Sequence, residues 1–419
     1  MSKLKKFHYA WIILVAVSLI RGIAGPALNG SSGLFLSPVS QELGIGIGQL
    51  SIYLSISSIT MLFWLPIAGN ILNKYSAKTI AIIGILLQGI PFVSLGFMNS
   101  VWGWYIMSVP LAMGAVLLVN LLGPVLINRW FVANRGLVMG LMMTITSLLG
   151  AVFQPLLSGL IANNGWRFTY VSFGAVSIVC IIILAVIFLK DKPGDKNTHP
   201  YGYDTNTKNT DKETKNNKNL GVSSKVATKS LAFFMLLVFM ISITGFAVFS
   251  QHITTYGLSV GYSIVSIGTA LSLSMIGSAI GSILIGVFSD KLGIMTTSIS
   301  VVAVGLLAII LFLFAGDKYA VFMSATFLHG LSMSSIGVVS PILTSTFFGS
   351  KEYEKIFSLV SMGSPLASIL LVPIYGFIYD KFGSYNIVLV FLIVLLAIGG
   401  ICLIIGNKNS KKLDLADKK

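Results

Sequence analysis

A single arginine lies well inside an apolar run of this chain, and no acidic residue lies mid-run to neutralise it. Arg21 comes about 13 residues after the start of the first run, residues 8–28, and all 13 acids lie in polar segments or at run ends. Inside a membrane an arginine costs several kcal/mol unless it meets water or a partner. A guanidinium holds a carboxylate through two parallel hydrogen bonds. Arg21 is therefore a candidate ligand for an anionic substrate.

Arg21 also has a structural interpretation, which the sequence leaves open. Gly22, Gly25 and Pro26 follow it and interrupt a helix, so the guanidinium has free backbone carbonyls to cap. A long basic side chain can instead extend outward to the lipid headgroups. The missing carboxylate is informative in itself, since exporters of cationic drugs commonly rely on a buried one.

Two histidines and four uncharged polar residues complete the set of candidate ligands in the runs. His252 and His329 titrate near neutral pH and are candidate proton carriers or ligand donors, with a neutral, hydrogen-bonded histidine as the alternative. For the other four, hydrogen bonding between helices is the alternative. These four are Tyr53, Asn120, Gln154 and Gln251.

The sequence offers no set of residues for an enzyme. It contains no nucleophile–base pair, no metal-ligand cluster and no phosphate-binding loop, so we expect neither a cofactor nor a metal site. Cys180 and Cys402 both lie in apolar runs and are interpreted as packing residues.

Membrane-crossing helices must position these residues. The chain is 55% hydrophobic and 10% charged, which is too apolar for a soluble domain. Runs of about 20 apolar residues, the length that crosses a bilayer as a helix, recur along most of it. The twelve runs are 8–28, 48–72, 78–98, 102–127, 136–162, 167–189, 230–256, 263–288, 295–315, 319–347, 354–378 and 384–406. We predict an all-α membrane protein with twelve transmembrane helices.

The net charge of +15 indicates membrane orientation rather than a nucleic-acid partner. If the N-terminus is cytoplasmic, all but four of the 28 lysines and arginines fall on the cytoplasmic side. The exceptions are Arg21 inside the first run and Arg167, Lys318 and Lys381 on the opposite face. This distribution follows the positive-inside rule, so we expect both termini in the cytoplasm. The Asn- and Lys-rich composition of residues 191–229 is typical of an AT-rich bacterial genome, so we expect a bacterial plasma membrane.

Residues 191–229 interrupt the pattern of apolar runs. The segment contains lysine, asparagine, threonine and acids with almost no large apolar side chains, so it cannot bury enough surface to fold. We interpret it as a flexible cytoplasmic connection, with binding to anionic lipid as an open alternative. The predicted organisation is a six-helix bundle in 1–190, the connection in 191–229, a second bundle in 230–407 and a cytoplasmic tail in 408–419.

Four short stretches share a pattern in which asparagine or aspartate follows a glycine by four residues. The glycines are Gly69, Gly159, Gly286 and Gly376, each near the end of an apolar run. Within each half the two glycines are 90 residues apart, and corresponding glycines of the two halves are 217 apart. Ninety residues hold three runs, so the pattern should alternate between membrane faces. It predicts two pseudo-symmetric six-helix bundles, each built from two inverted three-helix repeats.

With twelve runs and the stretch GVFSDKLG after the eighth, the chain resembles the major facilitator superfamily. Gly286, Asp290 and Gly293 match the signature of that family between helices 8 and 9, whereas the first-half copy has Asn73 where the family has an acid. The resemblance implies a secondary transporter that works as a monomer by alternating access. It also implies that helices 1, 4, 7 and 10 line the cavity.

The stretches WFVANRGLVMGL and SQHITTYGLSVGYS resemble the monocarboxylate porter and oxalate–formate exchanger branch of that superfamily. The branch usually carries an arginine after a glycine in helix 8, and oxalate exchangers carry a lysine in helix 11. This chain has Ser282 after Gly281 and no cation in residues 358–371. Either Arg21 replaces those charges from the other half, or the substrate is not a simple carboxylate.

These observations predict transport of a small organic anion, with proton symport or anion exchange. The alternative is an exporter of a neutral or amphipathic metabolite or drug. By pseudo-symmetry, Asp290 should accept from free N–H groups where the fifth run starts, near Arg135. Asn73 should make the uncharged equivalent at the eleventh run. Such contacts would close and open the cytoplasmic side once per cycle, and a simple helix-end signal is the alternative.

Overall fold

The computed structural model describes residues 8–72, 74–132, 135–196, 198–202, 221–349 and 351–416. In these ranges the chain is almost entirely helical, and 11 stretches are long and apolar enough to cross a membrane. One of them, Gly136–Phe188, contains Gly165 at φ 80° and ψ 165°, a non-helical conformation that separates two helices. The described residues therefore hold twelve membrane-length helices, which confirms the predicted all-α, multi-pass membrane fold.

The fold divides into two compact units. The first comprises the described residues of Met1–Ile45, Ile52–Asp204 and Ile264–Ser272. Its helices are α1 (Tyr9–Gly22), α2 (Ser32–Leu43), α3 (Ile47–Leu72), α4 (Ala77–Leu95), α5 (Val101–Ala115), α6 (Leu122–Trp130) and α7 (Arg135–Phe188). Two π-helical segments, Ile23–Asn29 and Val116–Leu121, interrupt the first and fourth membrane-crossing stretches.

The second unit comprises the described residues of Gly46–Ser51, Thr205–Ser263 and Leu273–Lys419, so α3 begins in it. Its helices are α8 (Ser224–Lys229), α9 (Leu231–Val248), α10 (Ile253–Ser259), α11 (Ile264–Leu292), α12 (Ile294–Ala315), α13 (Tyr319–Met333), α14 (Ser335–Phe348), α15 (Tyr353–Ser361), α16 (Gly363–Phe382) and α17 (Asn386–Ala416). Helix α17 extends past residue 407, where the sequence placed the start of a tail.

Glycines allow close helix crossings inside each unit. In the first unit, a Cβ on Gly114 of α5 would overlap the Gly84 carbonyl of α4. In the second unit, a Cβ on Gly330 of α13 would overlap the Ser274 carbonyl of α11. Without Cβ atoms the backbones can approach this closely, which is how helices associate where lipid removes the hydrophobic driving force.

The segment between the bundles is more ordered at its ends than the sequence predicts. The Tyr201 N–H donates to the Trp130 carbonyl at 2.8 Å, and the Val222 N–H donates to the Phe348 carbonyl at 3.0 Å. Carbonyls at helix ends lack partners within their own helix, and the two ends of this segment supply donors for them. Residues 203–220 of the predicted connection lie outside the described ranges.

Candidate functional site

The first, fourth, seventh and tenth membrane-crossing stretches are each interrupted, once in every three-helix repeat. The interruptions are the two π-helical segments, the 3-10 turn Phe249–Gln251 and the break at Ser334 between α13 and α14. A further break, at Met362, lies in the eleventh stretch. Irregular backbone inside a membrane is tolerated where it is buried in protein or lines a cavity, and broken helices commonly carry transporter sites. Several of the predicted ligands lie at or near these breaks.

Arg21 lies in the last turn of α1, directly before the first π-helical segment. Its Nε atom is buried and has no hydrogen-bond partner among the described residues. The ion pairs found in that part of the chain join other residues, Arg129 to Asp191 at 3.6 Å and Arg167 to Glu42 at 2.8 Å. The carbonyl-capping alternative is therefore not seen there, and the capacity of Nε to donate is unused.

Gln88 is a buried residue near this break that sequence reasoning missed. It lies in α4, is 0% exposed, and its Nε2 donates to the Ala24 carbonyl of the π-helical segment at 2.7 Å. Its Oε1 is buried without a partner among the described residues, and so is the indole Nε1 of Trp64 in α3. A lone amide in the middle of the third apolar run was the available signal. Gln88 fixes the backbone that follows Arg21.

Gln88→Leu should therefore destabilise the first unit. The change leaves the buried Ala24 carbonyl without its donor, at a cost of about 1–3 kcal/mol. For a bundle of this size we expect the Tm in detergent to fall by about 2–12 °C. Ser94→Ala is the matched control, because the Ser94 hydroxyl donates within its own helix to Ile90 at 2.9 Å. Equal Tm values for the two variants would contradict the role assigned to Gln88.

Asn120 lies in the second π-helical segment, exposed and without a hydrogen bond to the described residues. The neighbouring Val119 packs against Gly25, one turn beyond Arg21, with its Cγ1 3.5 Å from where a Gly25 Cβ would stand. The two interrupted stretches of the first unit thus adjoin each other. Hydrogen bonding between helices, the alternative offered for Asn120, is absent from the described contacts.

Gln154 and Tyr53 are the remaining candidates in the first unit. Gln154 of α7 is 1% exposed, and its Oε1 has no partner among the described residues. The Tyr53 hydroxyl is hydrogen-bonded to Ser32 and lines, with Asn29 and Tyr170, a cavity of about 10 Å³. That volume is enough for about one water molecule. Tyr53 of α3 thus bonds Ser32 of α2, the contact between helices that was its alternative interpretation.

In the second unit, His252 is fully buried and both ring nitrogens are hydrogen-bonded. Nε2 lies 2.9 Å from the Val372 carbonyl, and Nδ1 lies 2.9 Å from the Tyr385 hydroxyl. A carbonyl only accepts, so Nε2 carries the hydrogen, and in the neutral ring Nδ1 accepts from the tyrosine. This is the bonding of a neutral structural histidine, and proton transfer through His252 would require one of these bonds to break.

His329 differs from His252 because half of its hydrogen-bonding capacity is unused. It is 0% exposed, and Nε2 donates to the Phe246 carbonyl at 3.1 Å. Its Nδ1 and the Oε1 of Gln251 are buried acceptors without partners among the described residues. Among the described residues of this unit, no lysine, arginine, aspartate or glutamate is buried. The second unit therefore offers uncharged acceptors for a ligand.

The predicted cytoplasmic contacts are described only in part. Asp290, near the end of α11, is exposed and makes no hydrogen bond or ion pair with the described residues. Arg135 is the first residue of α7, and Asn73 lies outside the described ranges. The contacts of Asp290 and Asn73 with helix N-termini remain predictions.

A carboxylate does hold a helix N-terminus at the fourth copy of the repeated pattern. Asp380, four residues after Gly376 in α16, accepts from the Ile47 N–H at 2.8 Å and the Gly48 N–H at 2.7 Å. Those amides begin α3, in the part of it that belongs to the second unit. Free N–H groups and the helix dipole both favour an anion there. Sequence reasoning placed Asp380 at a run end but assigned it no contact.

Glycines make this approach possible. A Cβ on Gly376 would stand 2.6 Å from the Cα of Gly48, and one on Gly48 would stand 2.6 Å from the backbone nitrogen of Phe377. Likewise, a Cβ on Gly46 would stand 2.5 Å from a carboxylate oxygen of Asp380. The repeated glycine and the repeated acid thus act together, the first admitting the helix and the second binding its end.

The chain is similar to known transporters in sequence and in structure. A model of the Major Facilitator Superfamily matches residues 10–324. SauU, a probable sulfoacetate transporter of Cupriavidus necator, is 21% identical over 380 residues, which cover 87% of this chain and 86% of that protein. Monocarboxylate transporter 1 of Bos taurus is 25% identical over 181 residues, 43% of this chain and 36% of that protein. The structure of the nucleoside transporter NupG aligns at a TM-score of 0.74 and 10% identity, over 96% of this chain and 99% of that one.

Proposed function

Because this chain belongs to the Major Facilitator Superfamily, as its signature stretch indicated, we propose that it is a secondary transporter of a small organic anion. The observation that carries the proposal is Arg21, whose Nε is buried without a partner in the described part of the chain. A solute with a carboxylate or sulfonate would supply the missing counter-charge and accept from a guanidinium bidentately.

One further observation supports an anion. Two of the similar proteins are named as transporters of sulfoacetate and of monocarboxylates, and both kinds of compound are small organic anions. NupG, at 10% identity, bears on the fold alone. The hydroxyl of Ser282, where the monocarboxylate branch usually has an arginine, donates to the Ser278 carbonyl of its own helix at 2.9 Å. Arg21 would then supply the charge, and Asn120 and Gln154 of the same unit would supply uncharged contacts. Gln251 and His329 of the second unit remain predicted ligands.

The proposed cycle is alternating access by a monomer with both termini in the cytoplasm, as the positive-inside distribution supports. Proton symport and anion exchange are both consistent with this arrangement. Uptake into vesicles driven by an imposed pH gradient indicates symport, whereas uptake that requires an anion preloaded inside indicates exchange.

A thermal-shift screen tests the substrate class directly. The purified protein is heated with sulfoacetate, lactate, oxalate or formate, and with a neutral analogue of each, such as lactamide. A ligand at 100 times its Kd stabilises the binding state by about 2.7 kcal/mol, so at least one acid should raise the Tm by several degrees. Stabilisation by neutral or amphipathic compounds alone would favour the alternative, an exporter of such compounds.

A further inference from the structure

We propose that the first unit holds one anionic phospholipid in a groove between α1 and α7. The groove has a volume of about 200 Å³, and every side chain that lines it is apolar. The lining includes Trp11, Ile12, Val15, Leu19, Leu184 and Phe188. Val15 is 49% exposed and Phe188 is 36% exposed, so the groove opens to the surroundings of the bundle. Its chemistry suits an acyl chain.

A positive charge lies at one end of this groove. The Tyr9 hydroxyl donates to the Phe188 carbonyl at 2.9 Å, which ties the start of α1 to the end of α7. The Lys196 ammonium lies 4.9 Å from the centroid of the Tyr9 ring. Tyrosine, tryptophan and lysine at the end of an apolar surface are typical of the interface between acyl chains and headgroups.

A second cavity lies in the chain just after Phe188, the last residue of α7. It measures about 480 Å³ and is formed by the loop that follows α7, with Pro193, Thr198, His199 and Pro200 in its lining. The His8 ring donates from Nε2 to the His199 carbonyl at 3.1 Å, so the loop is bound to the residue before α1. A lipid with its chain in the groove would have its headgroup at this loop.

The charge balance of the loop favours an anionic headgroup. Lys190, Lys192 and Lys196 lie within it, beside two acids. Asp191 is paired with Arg129 at 3.6 Å. The second acid, Asp195, accepts from the backbone N–H groups of Asp191 and Lys192, each at 3.1 Å. Both acids are thus engaged, and the lysines give the loop a positive balance of the kind that binds anionic lipid on the cytoplasmic side of membrane proteins.

The site is independent of the proposed substrate site. The groove and its lysines would bind a lipid whether or not Arg21 binds an anion, so the two proposals fail separately. The shared chemistry of phosphate leaves two sources, a lipid headgroup and a soluble phosphate ester. The apolar groove favours the lipid, because a soluble phosphate gains nothing from it.

Native mass spectrometry of the full-length protein tests the site. The protein is taken from nanodiscs of phosphatidylglycerol or of phosphatidylcholine, and the lipids that remain bound are counted. We expect one retained phosphatidylglycerol and no retained phosphatidylcholine. The Lys192→Gln, Lys196→Gln double variant should retain phosphatidylglycerol at least about five-fold less. The matched control is the Lys408→Gln, Lys411→Gln double variant at the exposed end of α17. Equal retention by the two double variants would overturn the proposal.

Two further experiments distinguish the contribution of the apolar groove from that of the lysines. Val15→Trp fills the groove with every lysine intact and should also lower retention, whereas Val176→Trp, at a residue of α7 that is 58% exposed and outside the lining, should not. Displacement of the retained lipid by millimolar glycerol phosphate, together with unchanged lipid retention by Val15→Trp, would identify a soluble anion as the ligand and overturn the lipid assignment. Monodisperse elution and an unchanged helical spectrum show that each variant is folded.

Discussion

Arg21→Gln is expected to abolish uptake of the organic anion while membrane insertion and folding persist. Two charge-assisted hydrogen bonds to the substrate are lost, each worth about 1.5–3 kcal/mol, so apparent affinity should fall at least about 100-fold. The Tm should not fall, because the change removes a buried donor that has no partner among the described residues. Uptake of a labelled acid into proteoliposomes, with the Tm of the same preparation, gives both readouts.

Two controls make the Arg21 result interpretable. Lys78→Gln removes an exposed positive charge from α4 of the same unit and should leave uptake unchanged. Arg21→Lys keeps the charge but loses the planar fork, so it should bind weakly rather than not at all. Wild-type uptake by Arg21→Gln would remove the residue from the substrate site. A large drop in its Tm would instead support a structural role.

Asp380→Asn is expected to loosen the start of α3 from the end of α16. The carboxylate holds two amides, at 2.8 and 2.7 Å, and a neutral amide holds such donors less strongly. A loss of about 1–2 kcal/mol would raise the separated population about 5- to 30-fold. Gly48→Val should have a larger effect, because its Cβ would stand 2.6 Å from the Phe377 nitrogen.

Spin labels at Gln49 and Lys381 measure this contact within the second unit, after Cys180 and Cys402 are replaced by serine. The parent should give one narrow, short distance. Asp380→Asn should add a longer component, and Gly48→Val should remove the short one. Under the proposed cycle both variants should also slow uptake at saturating substrate. Asp317→Asn, an exposed acid without a hydrogen bond to the described residues, is the control. Identical distributions for Asp380→Asn and Asp317→Asn would refute a holding role for Asp380.

The helices were predictable because their signal is local. An apolar run of sufficient length becomes a membrane helix largely irrespective of its partners, and Gly165 alone accounts for the division of α7. The helix interruptions were predictable only where the sequence contains a helix-breaking residue such as proline or glycine. Pro26 marks the first, but Val116–Leu121 contains neither proline nor glycine, and composition gives no reason for its π-helical turn.

Partners far apart in the chain account for most of what the sequence did not reveal. Asp380 accepts from the Gly48 amide, which lies 332 residues earlier in the sequence. Tyr385, whose hydroxyl is hydrogen-bonded to Nδ1 of His252, lies 133 residues later in the sequence. Spacing within one run cannot identify such pairs. The repeat did predict the kind of contact, an acid or amide against a helix N-terminus, although the described example occurs at a copy to which no contact was assigned.

The interruptions of the first, fourth, seventh and tenth membrane-crossing stretches place peptide dipoles of irregular backbone inside the bilayer, in addition to the ionisable side chains. At the two π-helical segments the amides bond five residues back, Gly30 to the Gly25 carbonyl and Leu122 to the Leu117 carbonyl, so the peptide dipoles stay hydrogen-bonded in a pattern that differs from that of the flanking α-helices. Peptide dipoles neither titrate nor need counter-ions, so they persist at any physiological pH. A chain with one guanidinium well inside its apolar runs thus has further polar groups within the spans whose charge state does not depend on pH.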